Sequence, residues 1–205
     1  MKLRKILKLH LFAMLMTTGV SHAQTSSTEV LLETTAGTIR IALYDETPLH
    51  NDNFLKHCRE HRYDSLLFHR VINNFMIQAG DIHSKHAQPG QLLGGGDLNY
   101  TVEPEFRLPS IYHCRGAVAM AREGDSRNPE MRSSACQFYI VTRRNGTPHL
   151  DGKYTVFGIV KEGMEIADQI QTVATDQFDR PLKDIRILST KIIESVQLPA
   201  DGIQP

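Results

Sequence analysis

The sequence predicts a mainly β protein: a single domain built on a closed antiparallel β-barrel with two α-helices. Three observations carry this expectation. Eight short segments have strand patterning, either alternating or continuously apolar. Only two stretches keep the three-to-four-residue apolar spacing of a helix. The two kinds of segment do not alternate in the βαβ rhythm that a parallel sheet needs, so an antiparallel barrel is favoured.

Taken in order, Val30 to Thr34 and Thr38 to Leu43 read as two strands joined at Ala36-Gly37, where glycine supplies the positive φ of a tight hairpin. Thr47-Pro48 is a helix start, a hydroxyl cap followed by proline at the first helical position. Phe54, Leu55 and Cys58 then give that helix one apolar face. Leu66 to Val71 and Met76 to Gly80 are strands with turn chemistry at Asn73-Asn74. Residues 82–99 are polar and glycine-rich and read as a long loop, His83 and His86 included. Ala117 to Ala121, Gln137 to Thr142 and Thr155 to Val160 are three further strands. Gly163 opens the second helix, with Met164, Ala167, Ile170 and Gln171 on one face, and Ile185 and Ile187 alternate in a final strand. No repeat or linker divides residues 24–205.

Residues 1–23 have the form of a signal peptide. Lys2, Arg4, Lys5 and Lys8 make a basic start, Leu9 to Val20 is mostly apolar, and Ser21-His22-Ala23 suits cleavage before Gln24. The apolar run is shorter than the ~20 residues of a spanning helix, so no membrane attachment is expected after cleavage. Those residues carry four of the 23 basic side chains and none of the 23 acidic ones, which leaves 19 against 23, a net −4. An acidic domain is a poor partner for nucleic acid, whose phosphates demand Lys and Arg. Three cysteines, Cys58, Cys114 and Cys136, with no Cys-x-x-Cys, predict buried thiols rather than a disulfide framework or a zinc ribbon.

The most informative stretch runs from Phe68 to Asp81: Phe68-His69-Arg70, then Phe75-Met76-Ile77-Gln78-Ala79-Gly80-Asp81. It offers an arginine, apolar side chains and a glutamine, but no nucleophile–base pair. Guanidinium is planar, always charged and presents a fork of donors. Strand alternation puts Met76 and Gln78 on one face, and Gln137 and Tyr139 on one face, with Cys136 and Phe138 turned into the barrel. Phe75, Met76, Tyr139 and Leu150 could then seat an apolar ring while the amides of Gln78 and Gln137 meet a peptide backbone. Such a set can bind and twist a chain without breaking a covalent bond.

Together with Cys136-Gln137-Phe138-Tyr139-Ile140-Val141 and His149 to Gly158, these motifs resemble the cyclophilin family of peptidyl-prolyl cis–trans isomerases over most of residues 24–205. The resemblance implies an eight-stranded barrel capped by two helices, no cofactor and no metal. It implies Arg70 as the catalytic group, and Phe75, Met76, Gln78, Ala121, Arg122, Gln137, Tyr139, His149, Leu150 and Tyr154 around the proline site. Proline-containing polypeptides are the implied partners, and a monomer is expected. Arg122 stands where many members have asparagine, Tyr139 at a phenylalanine position, Cys136 at a common serine, and Tyr154 at a histidine. His149 holds a place often taken by tryptophan, so weakened cyclosporin binding is expected. The signal does not separate periplasm from endoplasmic reticulum lumen or extracellular space. The segment from Met120 to Gln137 is longer than in compact members, and its extended Arg122–Cys136 region resembles bacterial members and favours the periplasm. A proline-peptide-binding or chaperone module with little turnover is the alternative reading.

Weaker patterns are set aside. His57-Cys58-Arg59-Glu60-His61 matches H-x-x-E-H, but no convincing third ligand motif follows. A Cys–His hydrolase would need Cys136 beside a base, against the alternation. Gly94-Gly95-Gly96-Asp97 lacks the Gly-Lys-Ser/Thr ending of a phosphate loop and reads as a rim of the groove. Asn99-Tyr100-Thr101 is a glycosylation sequon, relevant only in a eukaryotic source.

Overall fold

The computed structural model describes residues 28–193, so the signal-peptide reading over residues 1–23 lies outside the described residues. Ten strands and two α-helices follow in chain order. They are β1 (Glu29–Thr34), β2 (Gly37–Leu43), α1 (Pro48–Arg59), β3 (Arg70–Ile72), β4 (Met76–Ala79), β5 (Thr101–Val102) and β6 (Ala117–Met120). Then come β7 (Ser133–Ser134), β8 (Phe138–Val141), β9 (Val156–Glu162), α2 (Met164–Gln171) and β10 (Ile187–Ile193).

Eight strands form one strongly curled antiparallel sheet in the order β10-β1-β2-β9-β6-β8-β4-β3, and β5 pairs with β7 apart from it. The expectation of full closure needs correction. The ladder is open between β10 and β3, because the chain before β3 crosses the gap instead of a full strand. The bridge Leu67–Arg186 and the bonds Ser65 N to Ile187 O (2.7 Å), Ile187 N to Leu66 O (2.8 Å) and Phe68 N to Ile185 O (2.9 Å) lace this seam. The predicted strand from Leu66 to Val71 is therefore two pieces, the seam and β3. Leu66, Leu67 and Phe68 are all buried in succession.

Gly37 has φ 137° in the β1–β2 hairpin, a backbone state that L-residues rarely adopt. Asn74, at φ 56°, makes the turn between β3 and β4. Residues Ile82–His86 of the predicted loop form a short 3-10 turn capped by Asp81, whose Oδ1 accepts from His83 N (2.7 Å). The start of α1 is also not capped as predicted. The Thr47 hydroxyl donates to Tyr44 O (3.1 Å), and Glu105 takes the cap by accepting from Leu49 N (3.3 Å) and His50 N (3.0 Å).

Side chains alternate between two apolar clusters on opposite faces of the sheet. One fills the curl, with Leu32, Ile41, Ile77, Val118, Phe138 and Phe157, and Phe54 of α1 and Ala167 and Ile170 of α2 plug it. Phe54 lies 5.1 Å from the ring of Phe157 and 5.4 Å from that of Phe138. Burying such a ring stabilises the fold by about 2–3 kcal/mol. The second cluster, Met76, Ala117, Ala119, Tyr139, Val141 and Val156, occupies the other face. Phe75, Ala121, Leu150 and Tyr154 pack against it half-buried. Those half-buried side chains border a cavity. Among the described residues, no helix is long and apolar enough to cross a membrane.

Candidate active site

The register of four strands assembles the site. Arg70 on β3 lies opposite Gln78 on β4, Gln78 opposite Tyr139 on β8, and Tyr139 opposite Ala119 on β6. Cross-strand neighbours share a face, so residues far apart in sequence form one row. Met76, two residues before Gln78, joins the same face beside Val141.

Above this row is a cavity of about 260 Å³. Nine of the eleven predicted site residues line it: Arg70, Phe75, Met76, Gln78, Ala121, Arg122, Tyr139, Leu150 and Tyr154. Met76 and Tyr139 are buried in its floor, and Phe75, Leu150 and Tyr154 stand half-buried in its walls.

The other two are placed differently. Gln137 is buried behind the cavity. Its Oε1 accepts from Gln78 Nε2 (3.0 Å), and its Nε2 donates to Gly94 O (3.1 Å) and Gly96 O (2.9 Å). It holds the glycine loop against the site. His149 is exposed and stacks on the outer side of Phe75, with centroids 5.8 Å apart. Arg122 lines the cavity with its side chain 3% exposed. It donates to Lys153 O (2.7 Å), Glu123 O (2.9 Å) and Asp125 Oδ1 (2.6 Å). Its guanidinium also sits 4.7 Å over the Tyr154 ring. It builds the wall, with three of its five N–H donors engaged.

Arg70 differs in that respect. Its side chain is 43% exposed at the mouth, and its polar partner among the described residues is Asp179, at 3.4 Å through Nε. Gly94 also lines the cavity, as its reading as a groove rim expects, whereas His69, Leu93 and Phe178 line it without having been foreseen from sequence. His69 sits inside the Phe-His-Arg motif, which is a signal of a kind. Leu93 and Phe178 come from loops without periodicity, where nothing marks one apolar residue as a lip. His69 is buried, and neither ring nitrogen has a hydrogen bond of ordinary geometry among the described residues. Burial drives its pKa down from 6.5 to about 4, opposed by the nearby Asp81 carboxylate.

Glycines let the rim close. A Cβ on Gly80 (φ 96°) would lie 2.1 Å from Cys136 O, and one on Gly96 would lie 2.0 Å from Asp81 Oδ1. Asp81 accepts from Gly94 N and so folds the loop over the strand ends. Cys136 is buried as expected but belongs to neither apolar cluster. Its thiol donates to Asp97 Oδ1 (3.2 Å), and burial first, then that carboxylate, pushes the thiol pKa upward. A thiol so disfavoured as thiolate is a poor nucleophile.

The zinc-like pattern also comes apart. His57 Nε2 meets Ala135 O (3.0 Å) inside the protein, while His61 lies beyond the end of α1, exposed against Asp64. Among the described residues, no group of three metal-ligating side chains converges. Among the described residues, no Ser, Thr, Cys, Lys, Asp or Glu lines the cavity. Fold and cavity together define a curled-sheet protein with a non-covalent site: an apolar seat, an amide and one available guanidinium.

Comparison with known proteins agrees. The model of the cyclophilin type peptidyl-prolyl cis-trans isomerase/CLD family matches residues 29–192. The chain is 40% identical over 168 residues to the peptidyl-prolyl cis-trans isomerase CYP71 of Arabidopsis thaliana, covering 81% of this chain and 24% of that protein. It is 34% identical over 170 residues to CYP18-2 of the same plant, covering 82% of this chain and 96% of that one. The chain thus spans about a quarter of the first relative's length and nearly all of the second's. A crystal structure of a cyclophilin type isomerase from Cryptosporidium parvum matches with a TM-score of 0.68 at 26% identity, covering 82% of this chain and 98% of that one. A further structure of that protein, obtained in the presence of the dipeptide Ala-Pro, gives 0.66. The chain belongs to the cyclophilin-type peptidyl-prolyl cis–trans isomerases.

Proposed function

We propose that this chain accelerates rotation about X–Pro bonds in extended segments of other exported proteins, with Arg70 as the catalytic residue. The amide barrier is ~18–20 kcal/mol. Raising a rate of ~0.01 s⁻¹ to ~100 s⁻¹ needs about 10⁴-fold, or roughly 5.4 kcal/mol. A twisted imide loses conjugation and charge separation, so an apolar seat favours it over the planar form. Phe75, Met76, Ala121, Tyr139, Leu150 and Tyr154 supply that seat. A charge-assisted hydrogen bond from Arg70 to the proline nitrogen or a neighbouring carbonyl adds ~1.5–3 kcal/mol. Gln78 meets the substrate backbone, Gln137 braces Gln78 and the glycine loop, and His149 supports Phe75.

The observation that carries this reading is the conjunction of a half-exposed arginine and a cavity with an apolar seat that, among the described residues, no Ser, Thr, Cys, Lys, Asp or Glu lines. The test is an exchange assay on a proline peptide, by NMR or protease coupling. Wild type accelerates exchange, and Arg70→Ala loses roughly 10–100-fold while staying folded. Tight peptide binding without acceleration by wild type would instead make the chain a binding or chaperone module.

Export is supported by the basic start, apolar run and Ser21-His22-Ala23 of the first residues, and the periplasm by the likeness of the extended Arg122–Cys136 region to bacterial members. Sequencing the mature protein from the source cell tests it, with Gln24 expected first and Met1 counting against it. Cyclosporin is expected to bind weakly, and His149→Trp to bind it more tightly, as read by inhibition in the same assay.

A further inference from the structure

The segment from Ala174 to Asp184 has no regular strand or helix, yet it is tied at almost every turn. Leu182 N donates to Ala174 O (2.9 Å) and Asp176 N to Arg180 O (2.8 Å), around an isolated bridge between Thr175 and Pro181. Asp176 Oδ1 accepts from Phe178 N (2.8 Å) and Arg180 N (3.0 Å). Arg180 is buried and donates to Gln88 O (3.1 Å), Gln91 O and Asp184 Oδ1 (3.4 Å), fixing this loop to the neighbouring one. At its tip Asp179 has φ 63°, the left-handed state that Asp and Asn tolerate best among residues with a Cβ. Its own carbonyl accepts from Val71 N (2.8 Å), the residue next to Arg70, so the tip is bolted to β3. The side chain thereby reaches Arg70 Nε at 3.4 Å, with the two side chains 43% and 42% exposed.

An ion pair so exposed adds little to stability. What it changes is geometry. Arginine has many rotamers, and a carboxylate on Nε restricts them before a substrate arrives while leaving the two terminal nitrogens unengaged among the described residues. We propose that Asp179 is a positioning residue: its carboxylate holds Arg70 at the cavity mouth in the orientation that isomerisation uses. This rests on the isomerase reading above.

The experiment compares Asp179→Asn, which keeps an acceptor oxygen, with Asp179→Gly, which removes it while accepting the left-handed backbone. Each is made in wild-type and Arg70→Ala backgrounds. Asp179→Gly is expected to lower kcat/KM about tenfold, mostly through kcat, with Asp179→Asn recovering most of the loss. In the Arg70→Ala background the same change should cost less than about twofold, because its effect runs through the missing group. The ¹⁵N-bound Nε proton of Arg70 gives a second readout that needs no turnover, and its NMR signal should shift in Asp179→Gly without substrate. A loss of equal size with and without Arg70 would assign a structural role and overturn the proposal, as would an unmoved Nε signal. Wild type that fails to accelerate exchange would sink the isomerase reading instead, and the Nε signal separates the two failures.

Discussion

Tyr139 brings a hydroxyl into an apolar floor, and its surroundings absorb it. Its OH lies 2.9 Å from His113 Nε2, while His113 Nδ1 lies 2.7 Å from Asp151 Oδ1, which also accepts from His113 N (2.8 Å). Burial holds the imidazole pKa down, so His113 is neutral: it donates through Nδ1 to the carboxylate and accepts from the phenol through Nε2. The phenol is thus turned away from the cavity and the ring alone faces it. Tyr139→Phe should keep exchange activity within a few-fold. It should lose about 1–3 kcal/mol in urea unfolding, because His113 Nε2 is left buried without a donor. His69 supports a second prediction at this scale. Its folded pKa, near 4, lies below the ordinary 6.5, so the unfolded chain takes up the proton first. Its contribution is complete above 6.5 and is lost as pH falls from there toward 4. From about pH 7.5 to pH 5, unfolding experiments should show a loss of about 2 kcal/mol from His69 alone, flattened in His69→Gln. Histidines 50, 57 and 113 shift in the same direction, each first through burial, and steepen the slope. The sequence named Tyr139 as a site residue by its place on a strand. Nothing local indicated that a histidine 26 positions earlier would quench its hydroxyl.

Helix α1 shows how an element's sequence can be read correctly in outline and wrongly at its cap. Its apolar face of Phe54, Leu55 and Cys58 points into the core as the spacing predicts. Its other buried residues form a polar stripe. His50 Nδ1 meets Glu105 Oε2 (2.6 Å), His50 Nε2 meets Ser133 Oγ (2.9 Å), and Asn53 Nδ2 donates to Ala135 O (2.7 Å). Tyr100 OH donates to Asn53 Oδ1 (2.7 Å). This stripe grips the stretch that leads directly into Gln137, so the helix positions the site from behind. Glu105 is the keystone, because it caps the helix and pairs with His50 while almost wholly buried. Glu105→Ala should cost about 2–4 kcal/mol in denaturant unfolding, more than an exposed cap, since it orphans His50 and two helix amides. Glu105→Gln should recover part of that loss by keeping one acceptor. A cap supplied 55 residues away leaves no trace in the local sequence, whereas Thr47-Pro48 looks like a complete start signal.

At the scale of the whole molecule, the curl of the sheet decides where the site can be. The central strands β1, β2 and β9 are paired on both sides, whereas the seam between residues 65–68 and 185–187 rests on a few backbone bonds. Arg186 reinforces it by donating to Ser65 O (2.8 Å) and Lys85 O (3.2 Å). Hydrogen exchange under native conditions should therefore find the amides of Ser65, Phe68 and Ile187 opening at lower free energy than those of β1 and β2. Arg186→Ala should widen the difference, and uniform protection across sheet and seam would contradict it. The sequence by itself determined six of the eight main strands and part of β3 and β10, both helices, the alternation that sends Ile77 and Phe138 inward and Met76 and Tyr139 outward, and most of the cavity lining. It could do so because those properties depend on period and residue type along a short stretch of chain. Only the tertiary structure decided the open seam, the polar backing of Tyr139, the place of Gln137 behind Gln78, and the carboxylate of Asp179 against Arg70. Each of those rests on a contact between side chains or strands distant in sequence, and such contacts exist only after the sheet has curled.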